Sequence, residues 1–169
     1  MRLGAGFFAR DVLEVAPDLV GKRLVRRLPD GSVKGLRIME TEAYRGEEDG
    51  ACHARRGKTP RTEVMYRRGG YSYVYLVYGL HHLMNVVTGS EGQPQAALIR
   101  AMEKPLDGPG KWTRAMGVTL SQNGLWLPEN DEMWLEDDGV HPHIVTAPRV
   151  GVDYAPPLWR DIPWRFMAE

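Results

Sequence analysis

I-M-E-T-E-A-Y-R-G-E-E-D-G-A-C-H, residues Ile38 to His53, is the stretch on which the reading of this chain turns. A strand-like run delivers Glu40 and Glu42 and then Tyr44, and an acidic, glycine-containing loop leads on to Cys52 and His53. Side chains alternate between the two faces of a strand, so Leu36, Ile38, Glu40, Glu42 and Tyr44 are expected on one side. Apolar residues begin that face and carboxylates end it, which suggests a strand leaving the core for a cleft. A glutamate there is either a general base with a raised pKa or one end of a buried ion pair; the residues alone favour the ion pair. His53 reads as a base, a metal ligand or a hydrogen-bonded core histidine, the last being usual for a lone His.

Working outward, Lys22 to Leu28 alternates apolar and basic residues like a strand. Pro29-Asp30-Gly31 is a strong turn and Gly35 to Tyr44 the returning strand. Upstream, Phe7 to Val20 has helical periodicity, with a break expected near Pro17 and a stop at Gly21. Downstream, Thr59-Pro60 is a helix start and predicts a short helix to about Tyr66, ended by Gly69-Gly70. Tyr71 to Tyr78 and His81 to Thr88 read as two strands joined at Gly79-Leu80, a hairpin with Tyr78 near its tip. Gln95 to Met102 is another strand. Gly108-Pro109-Gly110-Lys111 precedes a short helix, Trp112 to Met116, whose N–H groups and lysine form a candidate phosphate seat. Leu125 to Leu127, Met133 to Leu135, Ile144 to Ala147 and Arg149 to Val152 are expected short strands, and Pro156 to Glu169 an irregular Pro- and Trp-rich tail. The sum is one α+β domain over residues 1–169, with a curved, largely antiparallel sheet, a protruding hairpin and short surrounding helices.

The chain of 169 residues balances 22 Lys and Arg against 22 Asp and Glu. That balance hides an asymmetry: residues 1–114 hold 19 of the basic and 13 of the acidic side chains, while residues 115–148 hold six acids and no Lys or Arg. The densest basic patch, Arg55, Arg56, Lys58, Arg61, Arg67 and Arg68, follows the opening stretch directly. It reads as a solvated loop or as a phosphate-binding surface. Tyr44, Tyr73, Tyr75 and Tyr78 are ordinarily sheet-face aromatics; beside a basic patch they also fit base stacking and duplex wedging. The tryptophans, the acidic stretch from Glu129 to Asp138 and Cys52 read as packing, a solvated loop and a small pocket-wall residue. No His or Cys spacing matches a zinc motif. With one cysteine there is no intrachain disulfide, no apolar run is long enough for a membrane span, and the first residues lack a signal-peptide pattern. The expected location is the cytoplasm, with the nucleoid in a bacterium.

Seven motifs then occur together and in order: E-T-E-A-Y-x-G-x-x-D-x-A-C-H (Glu40 to His53), T-P-R-T (Thr59 to Thr62), Y-V-Y-L-V-Y-G-L-H (Tyr73 to His81), M-N-V-V-T (Met84 to Thr88), L-I-R-A (Leu98 to Ala101), G-P-G-K (Gly108 to Lys111) and R-V-G-V (Arg149 to Val152). Each alone is weak; the ordered set, spanning about Phe7 to Phe166, resembles the alkyladenine DNA glycosylase family. The resemblance implies a formyltransferase C-terminal-domain-like fold. It also implies a monofunctional enzyme that flips alkylated or deaminated purines, 3-methyladenine above all, out of double-stranded DNA and hydrolyses the N-glycosidic bond. By that pattern Glu42 is the general base, and Arg100 and the backbone carbonyl of Val150 help hold the water. Tyr44, His53 and Tyr75 form the pocket around the flipped base. Asn85 disfavours the exocyclic amino group of guanine, and Tyr78 fills the gap in the stack. Thr59, Arg61 and Lys111 are implied phosphate contacts. No metal, nucleotide or redox cofactor enters this scheme, and a monomer is expected. Two other readings stand beside it: a non-enzymatic nucleic-acid-binding module on the same scaffold, and a metal-dependent hydrolase using His53 with Glu40 or Glu42. Under the glycosylase reading the acidic stretch is expected to face away from the DNA.

Overall fold

The computed structural model describes residues Met1–Glu169. Its framework is the strand pair that carries the two glutamates: β1 (Arg23–Arg27) and the 13-residue β2 (Val33–Arg45) form the expected hairpin. Gly31 adopts φ +86° in the turn between them, a conformation a side chain would resist. The other strands are β3 (Ser72–Val77), β4 (His81–Val87), β5 (Gln95–Met102), β6 (Met133–Glu136), β7 (Ile144–Ala147) and β8 (Arg165–Ala168). They build one curled sheet in the order β3-β4-β5-β2-β1-β6, with every ladder antiparallel. β8 pairs with β2 beside Glu40, Thr41 and Glu42, and β7 pairs with β8.

β2 departs from simple alternation, and the departure positions the site. The β2–β5 register shifts on both sides of Glu40. The shifts are opposite, with an extra residue in β2 before Glu40 and one in β5 after it, and across this bulged step Leu36 and Ile38 share the core face with Thr41 and Ala43, not with the carboxylates. Glu40, Glu42 and Tyr44 occupy the opposite face. The expected grouping of Leu36 and Ile38 with the glutamates is therefore wrong, and the bulge is the reason.

Two helices cover the core face. α1 (Ala5–Phe8) and α2 (Val12–Leu19) are separated at Asp11, not at Pro17 as expected. The Asp11 side chain caps α2 by accepting from Leu13 N at 2.9 Å. Pro17 is tolerated because the helix ends two residues later, so its missing N–H costs one bond in the last turn. Val12, Val15 and Leu19 are buried against β2 and β5, each contributing about 1.5–3 kcal/mol relative to exposure. Thr41 Oγ1 donates to the Ala16 carbonyl at 2.7 Å, satisfying an acceptor in the last helical turn.

Other expectations are corrected. The segment after Thr59 is a turn and a 3₁₀ helix, Glu63–Tyr66. The helix near Trp112 begins earlier, as α3 (Pro109–Ala115), so Lys111 lies inside its first turn. Leu125 to Leu127 forms no strand: a single bridge joins Tyr71 to Trp126, and Pro128, which has no N–H for a ladder, sits in a 3₁₀ turn. Arg149 to Val152 is a bent loop, with Gly151 at φ +75°. The tail is ordered as α4 (Pro157–Asp161) and β8, because Phe166 alternates into the core between Arg165 and Met167. The acidic stretch is not only a solvated loop: it contains the expected strand at Met133 as the edge strand β6, and three of its acids pair with basic residues in and just before the β1–β2 hairpin, Glu132 with Arg26 at 3.1 Å, Asp137 with Lys22 at 3.5 Å and Asp138 with Arg37 at 2.8 Å. Arg37 holds the Asp138 carboxyl down to about 2. β6 lies at the end of the sheet opposite the β3–β4 hairpin.

Candidate active site

The face of β2 that carries Glu42 and Tyr44 opens into a cavity of about 320 Å³. β3 contributes Tyr73, Tyr75 and Val77, β4 contributes Leu83 and Asn85, and β5 contributes Leu98 and Arg100. The loop after β2 adds His53, the loop after β7 adds Val150, and Tyr78 stands at the mouth. Strand alternation delivers these side chains: in the β3–β4 register Tyr73 faces Asn85 and Tyr75 faces Leu83. Eight residues singled out from the sequence thus meet in one place: Glu42, Tyr44, His53, Tyr75, Tyr78, Asn85, Arg100 and Val150.

Glu42 is fully buried. Its Oε1 accepts from the Tyr44 hydroxyl at 2.8 Å and its Oε2 from the Val150 N–H at 2.7 Å. Arg100 Nε stands 3.9 Å from Oε2, an ion pair without a hydrogen bond. Burial raises the Glu42 pKa, and the Val150 N–H, Arg100 and Tyr44 oppose it. Burial and the neighbouring carboxylate push the Tyr44 hydroxyl well up, so it stays a donor. Each carboxylate oxygen keeps a lone pair beyond its single hydrogen bond, which gives the group capacity to take a proton from a third partner. Val150 touches the carboxylate through its amide N–H.

The aromatic wall is equally fixed. His53 Nδ1 lies 3.0 Å from the Tyr73 hydroxyl, and its ring meets Tyr75 edge-on at 4.5 Å. Burial, reinforced by Arg61 and Arg55, lowers the His53 pKa to about 4, so the imidazole is neutral at neutral pH. The Arg61 guanidinium lies 5.3 Å from the Tyr75 ring centre. Asn85 is buried and donates from Nδ2 to the Tyr73 carbonyl at 3.2 Å. At the tip Tyr78 is 92% exposed with φ +52°. Cys52 is buried behind the wall, its thiol pushed up to about 12 by burial.

The three expected phosphate contacts are not gathered. Thr59 and Arg61 line a second hollow of about 370 Å³ with His53, Arg55, Arg56 and Tyr154. Lys111 lies elsewhere, on α3, paired with Asp107 at 3.2 Å.

Sequence reasoning missed the buried pair beneath the floor. Arg149 and Asp49 have fully buried side chains, joined at 2.6 and 2.9 Å. Arg149 also donates to the Ala43 and Trp159 carbonyls and lies 4.8 Å from the Tyr44 ring centre. The pair ties the loop before His53 to the loop that supplies Val150. Both residues stood inside the ordered motifs, as the Asp of E-E-D-G and the Arg of R-V-G-V; their pairing across 100 residues had no local signal. Tyr154, which lines the cavity and donates to the Ala51 carbonyl at 2.7 Å, was also missed. No three His, Cys, Asp or Glu side chains converge closely enough to hold a metal ion, and no helix is long and apolar enough to cross a membrane.

The curled antiparallel sheet sets a buried carboxylate at the foot of an aromatic cavity, and comparison with known proteins gives the class of the protein. The family model for methylpurine-DNA glycosylase matches residues 6–107 and 103–169. A protein of Methanocella arvoryzae is 45% identical over 95% of this chain and 88% of its own length. One from an Anaeromyxobacter species is 47% identical over 100% and 90%, and one from Desulfitobacterium hafniense 44% over 99% and 95%. All three are named, by inference, as 3-methyladenine DNA glycosylases. The chain belongs to the methylpurine-DNA glycosylase family. It is a DNA glycosylase, a DNA-repair hydrolase that acts on N-glycosyl bonds.

Proposed function

We propose that this protein, acting as a monomer, releases 3-methyladenine and related alkylated or deaminated purines from double-stranded DNA and leaves an abasic site. The damaged nucleotide turns out of the stack into the cavity, where Tyr44, His53 and Tyr75 enclose the base and Asn85 reads its edge. Tyr78 enters the duplex to fill the vacancy. Thr59, Arg61 and Lys111 hold phosphates, which makes binding strongly salt-dependent. Glu42 takes a proton from a water held with Arg100 and the Val150 carbonyl, and the water oxygen bonds to C1′. The electrons of the C1′–N bond leave with the purine. Alkylation at N3 or N7 makes the purine cationic, so these electrons neutralise it and no acid is needed. The sugar passes through an oxocarbenium-like state that the carboxylate also stabilises. A cationic ring stacks favourably on aromatic faces, by roughly 1–2 kcal/mol when desolvated.

The observation that carries this reading is Glu42: a fully buried carboxylate at the foot of an aromatic cavity, with one donor on each oxygen and Arg100 3.9 Å away. The test is incubation of the purified protein with methylated duplex DNA in EDTA, with free bases identified chromatographically. Release of 3-methyladenine is expected. No release, or release that stops in the chelator, overturns the reading.

A further inference from the structure

Glu40 has no part in the chemistry above, yet it stands two residues before Glu42 on the same face of β2. Arg100 Nε lies 3.8 Å from Glu40 Oε2 and 3.9 Å from Glu42 Oε2. The guanidinium is thus shared almost equally and is at hydrogen-bond distance from neither. The same Glu40 oxygen also lies 3.6 Å from Arg165 Nη1. Arg165 is itself held: it pairs opposite Glu42 in the β2–β8 ladder, and its Nε donates to the Pro148 carbonyl at 2.9 Å. Four charges therefore alternate in space, Arg165, Glu40, Arg100 and Glu42, and only the last has a fully buried side chain.

In such a row the hold of each charge on its neighbour is limited by the charge beyond it. An arginine free to form a close, forked pair with Glu42 would lower its pKa by about 1–3 units. It would also occupy the lone pairs that must accept the water proton. We propose that Glu40 is a positioning residue for the Glu42 base: it draws Arg100 back from Glu42, so that the carboxylate stays basic and open while the guanidinium remains within reach of the same water. The inference rests on the assignment of Glu42 as the base. The other groups facing Glu42 do not replace this control. Arg149, from the loop after β7, is already paired with Asp49. Tyr44, on the same strand, and Tyr75, from β3, have pKa values raised by burial and stay neutral. The raised pKa of Glu42, despite Arg100 nearby, agrees with a guanidinium held at a distance.

The test pairs Glu40→Gln with Arg165→Gln in the full chain. The Glu42 carboxyl is followed by ¹³C NMR titration, and single-turnover release of a cationic alkylated purine from duplex DNA is measured against pH. Removing Glu40 lets Arg100 close on Glu42 and removes a like charge, so both effects lower the Glu42 pKa. The expected shift is down by about one unit, with the acid limb of the rate profile moving the same way and the plateau about threefold lower. Removing Arg165 releases Glu40 to draw Arg100 further off, so the titration moves up. A purely structural Glu40 changes stability and leaves both titrations in place. That result, or shifts of the same sign in the two variants, overturns the inference. If Glu40→Gln does not fold, the sign of the Arg165→Gln shift decides. The NMR titration separates these outcomes even if the wild-type protein releases no purine, a result that would instead sink the functional reading.

Discussion

At the floor of the cavity Glu42 is fully buried and both its oxygens accept hydrogen bonds, whereas Tyr78 at the hairpin tip is 92% exposed. Both places carry a cost, in different forms. The floor stores it as burial of charge: Glu42 with a raised pKa, and Arg149 and Asp49 paired out of water beneath it. The tip stores it as conformation, because a non-glycine residue at φ +52° is disfavoured by about 1–2 kcal/mol. A floor built this way cannot move without exposing unpaired charge, which suits a group that must be aimed at one atom. A tip built this way touches little of the protein and is free to enter a partner. Substitutions at the floor should therefore act on chemistry and stability, and those at the tip on engagement of the duplex.

The largest expected effect is at Glu42. Glu42→Gln keeps the shape and removes the proposed base, so single-turnover release should fall by roughly 10²–10⁴-fold while lesion-duplex binding is retained. The same change should stabilise the fold. Glu42 titrates higher in the folded than in the unfolded chain, so the folded state binds the extra proton. Its burial then lowers stability as pH rises from the unfolded value through the folded one, and Gln removes that penalty. Urea unfolding at pH 7 checks the sign. A less stable Glu42→Gln variant would erase the contrast between a functional floor and a structural one.

Next comes the pair beneath the floor. Asp49→Asn leaves Arg149 buried with a neutral partner, at an expected cost of about 3–5 kcal/mol of stability. Asp18→Asn, which breaks the exposed pair with Arg10, should cost about 1 kcal/mol or less. Urea midpoints of the two variants, side by side, test whether depth sets the cost. Equal losses would mean that the Arg149–Asp49 pair is no more than a surface bridge.

Tyr78→Ala should leave the floor intact and weaken the tip. The expected loss is about 1–3 kcal/mol of affinity for lesion duplex, the worth of one stacked aromatic, measured by fluorescence anisotropy. Release from single-stranded DNA, where no stack must be filled, should change little. If both substrates suffer equally, Tyr78 belongs to the pocket and not to a separate tip.

The two regions were also unequally legible in the sequence. The hairpin was readable because its signals are local: alternating tyrosines, a Gly-Leu turn, and a return strand ending in Asn-Val-Val-Thr. The approach to the floor was readable only as far as Ile38. Beyond it the bulge at Glu40 shifted the alternation, and a bulge depends on how β5 and β8 pair with β2, which no neighbouring residue announces. Arg149 and Asp49 failed for a related reason: each reads as an ordinary surface charge until the fold removes both from water. The ordered motifs nevertheless contained them. Within the acidic stretch the strand at Met133 was legible, but the ion pairs were not, because the partners Lys22, Arg26 and Arg37 lie about 100 residues upstream.

The smallest expected effect tests where floor and tip are joined. β4 runs beside α3, and buried Thr113 of α3 donates from Oγ1 to the His82 carbonyl at 2.7 Å, close to the turn of the hairpin. Next to it, His81 packs so closely on Gly110 that a Cβ at that glycine would lie 3.0 Å from the His81 ring. The hairpin is thus braced near its tip by a helix that contributes nothing to the cavity lining. Thr113→Val keeps the volume and removes the donor, leaving the His82 carbonyl without that partner, for a loss of about 1 kcal/mol of stability. If the brace aims the tip, duplex release should fall by about fivefold or less while single-strand release holds. An equal decline on both substrates would place the effect in general stability. No decline would show that the hairpin finds its direction from the β3–β4 ladder alone. The three outcomes separate cleanly because Thr113 touches neither Glu42 nor Tyr78, so any difference between the substrates must travel through the hairpin.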